Sequence, residues 1–312
     1  MSNLDKRIVF MGTPVFGREI LRALVENGYN VVGVVTQPDK LTGRKQTVTF
    51  SEVKQYALEK GIAVLQPVRI RHEYHEVIDL KPDLIITCAY GQIIPDELLA
   101  APPLGCINVH ASLLPKLRGG APIQHAIIDG YEKTGITIME MASRMDAGAI
   151  ISQCEVEIGE QEHYGSLHDR LITAAQKLLL DTMDSVLDHS YVPVEQNEEE
   201  VTYGYNISRE EERIDFTRNY QQVFDQIRGL SPQPCAYTVI AGKKVKICSV
   251  RKSDLTCDRE NGTIVFFEKG LGLVVDHRII IINTLQPEGK AVMSCRDCRN
   301  GAGRNWDGEV CI

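Results

Sequence analysis

Apolar and polar positions along this chain follow two rhythms, and the switches between them mark out its elements. Residues 8–11 form an unbroken apolar run of strand length. Over residues 16–27 the apolar positions are Ile20, Leu21, Leu24 and Val25, the three-and-four spacing of a helix. Pro14 stands just before that helix, where a proline suits the first turn. The unit then recurs: strands over 30–36, 63–65, 83–88 and 105–110 are separated by helices over 51–60 and 96–100. Two further strands, 134–141 and 149–158, and a long amphipathic helix over 165–187 complete the series.

Strands that alternate with helices imply right-handed crossovers and a mostly parallel sheet covered on both faces, a Rossmann-like α/β domain. Ligands of such sheets sit beyond the carboxyl ends of the strands. This expectation gathers Gly12, Thr36, Gln37, Tyr90, Gly91, Asn108 and His110 on one rim. Gly12 and Gly17 do not complete G-x-G-x-x-G, and no Lys-Ser or Lys-Thr pair follows, so neither nucleotide fingerprint is present. Residues 37–49 break the rhythm with Pro38, Gly43 and three basic residues; the segment reads either as a surface loop or as a substrate-engaging lid.

After the long helix, residues 191–205 are polar and acidic and read as a linker. Ser208 and Glu211 have capping-box spacing, and a helix is expected over 219–230. Short β runs follow over 236–240, 244–250, 262–267, 272–275 and 278–284, a spacing that suits a small OB-like β-barrel. The expected domains are 1–190, a linker over 191–207, and 208–312. Residues 302–312 read as a frayed or variant tail.

Composition refines this outline. No apolar run approaches the roughly 18 residues needed to cross a bilayer, and no signal-peptide pattern precedes the first strand. The nine cysteines are an odd number and sit mostly singly in apolar runs, which suits reduced, buried thiols and a cytoplasmic setting. Cys295 and Cys298 lack a second pair and a nearby histidine, so no metal site is expected. The net charge of −8 is uneven: from Arg209 onward 16 basic residues face 14 acidic ones, leaving −10 for the rest. Lys243, Lys244, Lys246, Arg251 and Lys252 cluster there, either as a solvated strand face or as a phosphate-facing patch.

The chemistry concentrates between Gly105 and Ile150. Cys106, Asn108 and His110 alternate with Ile107, Val109 and Ala111, so one pleat face carries an amide beside an imidazole. That pair is poor core material and suits a site that handles a carbonyl and a proton. Taken alone, Asn-x-His also reads as a satisfied structural pair, and Asp146 before Ala147-Gly148 as a turn residue.

These residues, with Ser112-Leu-Leu-Pro115, Arg118-Gly119, Ala121-Pro-Ile123 and Asp146, resemble the folate-dependent formyltransferases. Gly12-Thr-Pro, Gln37-Pro-Asp39, Ala89-Tyr-Gly91, Gly135-Ile-Thr-Ile-Met139 and Ile227-Arg-Gly-Leu extend the likeness along nearly the whole chain. The resemblance implies formyl transfer to an amine, with Asn108, His110 and Asp146 catalytic. It also implies a pocket for 10-formyltetrahydrofolate lined by Ser112, Leu113, Leu114, Pro115, Tyr90 and Gly91. The loop after Gln37 and the second domain resemble the branch of the family that acts on the methionyl amino group of initiator tRNA. Arg44, Lys45, Lys243, Lys244 and Lys246 are then expected to face the tRNA, the chain being a monomer that needs no metal and no membrane. Two alternatives stand beside this: a relative acting on a small amine such as a nucleotide sugar, and a non-catalytic RNA-binding protein. One departure is visible, for Tyr205-Asn206 stands where the family usually carries Pro-Lys.

Overall fold

β1 (Ile8–Gly12) is buried at every position, as expected of a strand covered on both faces. The computed structural model describes residues 3–42, 46–268 and 270–312. The chain divides into two units. The first comprises Met1–Pro122, Thr134–Val156 and Asp169–Tyr205; the second comprises Ile123–Lys133, Glu157–His168 and Asn206–Ile312.

After β1 come α1 (Val15–Glu26), β2 (Val31–Val35), β3 (Lys40–Thr42), β4 (Thr47–Thr49), α2 (Glu52–Glu59) and β5 (Val64–Leu65). Next are α3 (Ile70–Glu73), α4 (His75–Asp79), β6 (Leu84–Cys88), α5 (Asp96–Leu99) and β7 (Cys106–His110). α6 (Pro122–Ile128), β8 (Lys133–Glu140), β9 (Ile150–Glu157) and α7 (Tyr164–Leu187) follow. The sheet of the first unit runs β5-β2-β1-β6-β7-β8-β9. Its pairs from β5 to β7 are parallel, and β8 turns antiparallel to β7. The expected mostly parallel sheet is what forms. Val9, Met11, Val35, Ile85 and Leu98 belong to one of its cores.

Two features differ from the reading above. α3 and α4 fall between β5 and β6, in a stretch where no helix was expected, and both are too short for a period to register. The segment after β2 is a hairpin, with Lys40 opposite Thr49 and Leu41 opposite Val48. Its base is anchored: Gln37 Nε2 donates to the Tyr90 carbonyl (3.0 Å), and Lys54 bonds Asp39 (2.6 Å). The Lys54 ammonium, with Gln66, holds the Asp39 carboxyl below its ordinary range. Leu41 and Val48 are exposed on this hairpin. Arg44 and Lys45 lie outside the described residues.

The second unit contains α8 (Tyr220–Gly229), β10 (Ala236–Ile240), β11 (Lys243–Arg251), β12 (Ile264–Phe267) and β13 (Gly270–Val275). β14 (Arg278–Pro287), β15 (Met293–Ser294) and α9 (Cys295–Asn300) complete it. The strand order is β10-β11-β14-β13-β12, a Greek-key arrangement in which β14 returns to lie beside β11. Asn219 and Gln222 form a capping box at the start of α8. Ser208 and Glu211 make the same reciprocal pair on a single turn.

The tail is a correction. Rather than fraying, it runs between the two outer strands of the sheet. Val239 N–H donates to the Ile312 carbonyl (3.0 Å) and Ile312 N–H to that of Val239 (3.1 Å) on the β10 side. On the β12 side, Ile264 N–H donates to Glu309 (2.8 Å) and Gly308 N–H to Ile264 (2.9 Å). The edges of β10 and β12 would otherwise present unpaired backbone groups, and the tail closes them. Trp306 and Cys311 are buried in the same core as Phe224 and Leu285.

Candidate functional site

Three consecutive residues after β7, Leu117, Arg118 and Gly119, tie the candidate catalytic side chains together. Asn108 lies opposite Thr87 on the parallel neighbour, and Thr87 Oγ1 donates to its Oδ1 (2.8 Å). That bond turns the amide so that Nδ2, the donor end, faces Asp146 Oδ1 (3.5 Å). Two residues on, His110 is buried, and its Nε2 lies 3.0 Å from the Leu117 carbonyl. A carbonyl only accepts, so Nε2 carries the hydrogen and Nδ1 is left to face Asp146. Nδ1 lies 3.7 Å from Asp146 Oδ1.

Asp146 occupies the left-handed region (φ 51°) in the turn before β9. Gly119 N–H donates to its Oδ2 (2.8 Å), and Gln196 Nε2 donates to its carbonyl (2.9 Å) and to that of Gly148 (2.7 Å). The glycines are dictated by space. A Cβ on Gly148 would fall 1.9 Å from the Glu140 carbonyl oxygen, and one on Gly119 2.6 Å from that of Gly204. The Asn-x-His alternation and the Asp-Ala-Gly turn therefore converge on one carboxylate.

Arg118 is 2 % exposed. Its guanidinium donates to Gln196 Oε1 (2.8 and 3.1 Å) and to Glu198 Oε1 (3.0 Å). The guanidinium holds the Glu198 carboxyl below its ordinary range. Gln196 thus links the buried cation to the backbone of Asp146. The sequence reading took this acidic stretch for a linker and missed Gln196 and Thr87 altogether. No local pattern in the sequence marks either residue.

The expected folate-pocket residues divide by exposure. Ser112 is fully buried, and its hydroxyl donates to the Lys116 carbonyl (2.6 Å). Leu114 is buried, its N–H donating to Thr137 Oγ1 (3.1 Å) and its carbonyl accepting from Gln153 Nε2 (2.9 Å). Leu113 and Pro115 are half-buried. Tyr90 is buried, its hydroxyl has no hydrogen-bond partner among the described residues, and burial pushes its ionisation up. Gly91, at φ 88°, is exposed beside the Gln37 amide. Ile93 (81 %) and Met145 (52 %) are exposed in the same unit.

In the second unit, Lys244 and Lys246 share the outward parity of β11, while Val245 and Ile247 point to the core. Lys244 Nζ stands 3.6 Å over the Tyr237 ring, and Lys246 Nζ donates to the Pro234 carbonyl (2.9 Å). Lys243 is exposed but has the inward parity. The structure thus pairs two of the three lysines. Among the described residues no group of three or more His, Cys, Asp or Glu could hold a metal ion, and no helix is long and apolar enough to cross a membrane. Cys298 is buried in the core and Cys295 packs against it.

Comparison with known proteins gives the family. Residues 6–183 match the formyl transferase family and residues 206–303 the formyl transferase C-terminal domain. The chain is 52% identical over 300 residues, 95% of each chain, to a methionyl-tRNA formyltransferase of Bacillus thuringiensis (strain Al Hakam). It has the same identity and coverage against the protein of that name in Bacillus cereus (strain AH187). Among solved structures, HypX from Aquifex aeolicus with tetrahydrofolic acid superposes with a TM-score of 0.70 at 15% identity. That match covers 97% of this chain, which spans 48% of HypX. The sugar 3N-formyl transferase WlaRD superposes with a TM-score of 0.67 at 18% identity, over 92% of this chain and 99% of its own. At such identities these structures speak to the fold alone. With matches along nearly its whole length and both family domains in order, the chain belongs to the formyl transferase family.

Proposed function

We propose that this chain transfers a formyl group from 10-formyltetrahydrofolate to the α-amino group of methionyl initiator tRNA, giving N-formylmethionyl-tRNA. The observation that carries the reading is the meeting of Asn108, His110 and Asp146 within 3.5–3.7 Å at the end of β7. The 52% identity to methionyl-tRNA formyltransferases supports the choice of amine.

The folate, when bound, supplies an activated formyl group on its N10 nitrogen. Half-buried Leu113 and Pro115 would offer the flat pteridine apolar wall. In the transfer, the amine forms a bond to the formyl carbon and the bond from that carbon to the donor nitrogen breaks. Asn108 Nδ2–H donates to the formyl oxygen as negative charge develops there. Protonated His110, held by Leu117, adds a second donor from Nδ1. Asp146 orients both groups and takes the amine proton, directly or through water, and the donor nitrogen receives a proton as it leaves. The amine itself attacks, so the enzyme needs no covalent intermediate. Lys244 and Lys246, with Lys243, Arg44 and Lys45, would contribute charge toward the tRNA phosphates.

The reading is tested by offering formyl-labelled folate with Met-tRNA and, separately, with a nucleotide amino sugar. Label is expected on the tRNA fraction alone; label on the sugar and none on the tRNA would contradict it.

A further inference from the structure

Tyr203 and Tyr205 stack with ring centroids 5.2 Å apart and planes inclined by 3°. They are 48 % and 59 % exposed, so much of both rings faces solvent. Two residues apart on extended chain, both rings stand on one face. The strand beneath them is held at four points. Arg118 N–H donates to the Thr202 carbonyl (2.9 Å), Gly204 N–H to the Arg118 carbonyl (2.9 Å), Ala121 N–H to the Gly204 carbonyl (2.9 Å), and Leu117 N–H to Thr202 Oγ1 (2.9 Å). The bare Cα of Gly119 is what lets the Gly204 carbonyl come close.

The segment that holds this strand is the one that holds the reacting groups. The Leu117 carbonyl binds His110 and Gly119 N–H binds Asp146, while Leu117 and Arg118 pair with residues 202–204. The tyrosines are therefore fixed to the same short segment as the proposed catalytic centre. A ring pair set rigidly, exposed and ready-stacked suits another flat ring, because base stacking on an aromatic side chain needs no hydrogen-bond readout.

We propose that Tyr203 and Tyr205 form a stacking platform for an unpaired base at the acceptor end of the tRNA substrate, adding to its binding rather than to the chemical step. The proposal rests on the function proposed above. Because it adds no contact to phosphate, its contribution differs in kind from that of the lysines: it is insensitive to salt.

The test is steady-state formylation of Met-tRNA by Tyr203→Ala, Tyr205→Ala and the two Tyr→Phe variants, each at two salt concentrations. The alanine variants should raise KM for Met-tRNA by about 5- to 100-fold. Their kcat at saturation and KM for folate should be unchanged, and the slope of log KM against log salt should match wild type. The phenylalanine variants should behave as wild type, since a ring suffices. A KM for Met-tRNA within twofold of wild type in both alanine variants would overturn the proposal. So would an equal loss in the phenylalanine variants, or a rise confined to the folate KM, which would assign the rings to the pteridine. A wild-type enzyme that leaves Met-tRNA unformylated would instead overturn the function on which the platform depends.

Discussion

At the centre of the proposed chemistry, orientation comes from neighbours that carry no reactive group themselves. Thr87 sets the Asn108 amide, Leu117 sets the His110 tautomer, and Gly119 and Gln196 hold Asp146. Gly119 shows how narrow the tolerance is. At φ 127° it lies where side chains strain the backbone, and a Cβ would sit 2.6 Å from a carbonyl oxygen that cannot swing aside. Gly119→Ala is expected to destabilise the first unit by roughly 1–3 kcal/mol and to lower turnover more than tenfold by displacing the N–H on Asp146. Thermal unfolding and single-turnover formylation of that variant check both; wild-type values in the two assays would show that the contact is dispensable. The Asn-x-His pair was legible because a strand puts alternate residues on one face. Gln196 was not, since a contact 50 residues away from Asp146 leaves no local pattern.

Long regular runs announced themselves, whereas elements that depend on distant partners did not. β1, α1, β6 and α7 fall within one or two residues of the stretches marked by apolar spacing. α3 and α4, of four and five residues, are shorter than the window over which a helical period can be seen. The tail after α9 is a plainer case. Residues 302–312 read as a frayed or variant tail, yet the segment is ordered by backbone pairing with β10 and β12, which only the folded unit supplies. If the tail closes the second unit, a charge at its buried position should open it. Cys311→Asp is expected to cost several kcal/mol through an unpaired buried carboxylate, read as a lowered unfolding midpoint of the second unit; an unchanged midpoint would mean that closure contributes little.

Across the molecule, buried thiols make the fold sensitive to alkali. Burial pushes Cys106 and Cys311 up to about 12 and Cys298 up to about 11, from an ordinary value of 9.0. Between 9 and those values the unfolded chain loses thiol protons that the folded chain keeps, so stability falls as pH rises through that window. The effect is on the order of 1 kcal/mol per thiol at pH 10. Thermal midpoints are therefore expected to decline from pH 8 to pH 10.5, and a flat profile would show that these thiols do not govern it. The family was readable from the chain because its motifs run along nearly the whole length. The most direct measurement is single-turnover transfer of labelled formyl from 10-formyltetrahydrofolate to Met-tRNA by wild type and Asp146→Asn. The account predicts transfer by wild type, and a loss of about 10²- to 10⁴-fold in the variant with its unfolding transition preserved. Near-wild-type transfer by the folded variant would contradict it.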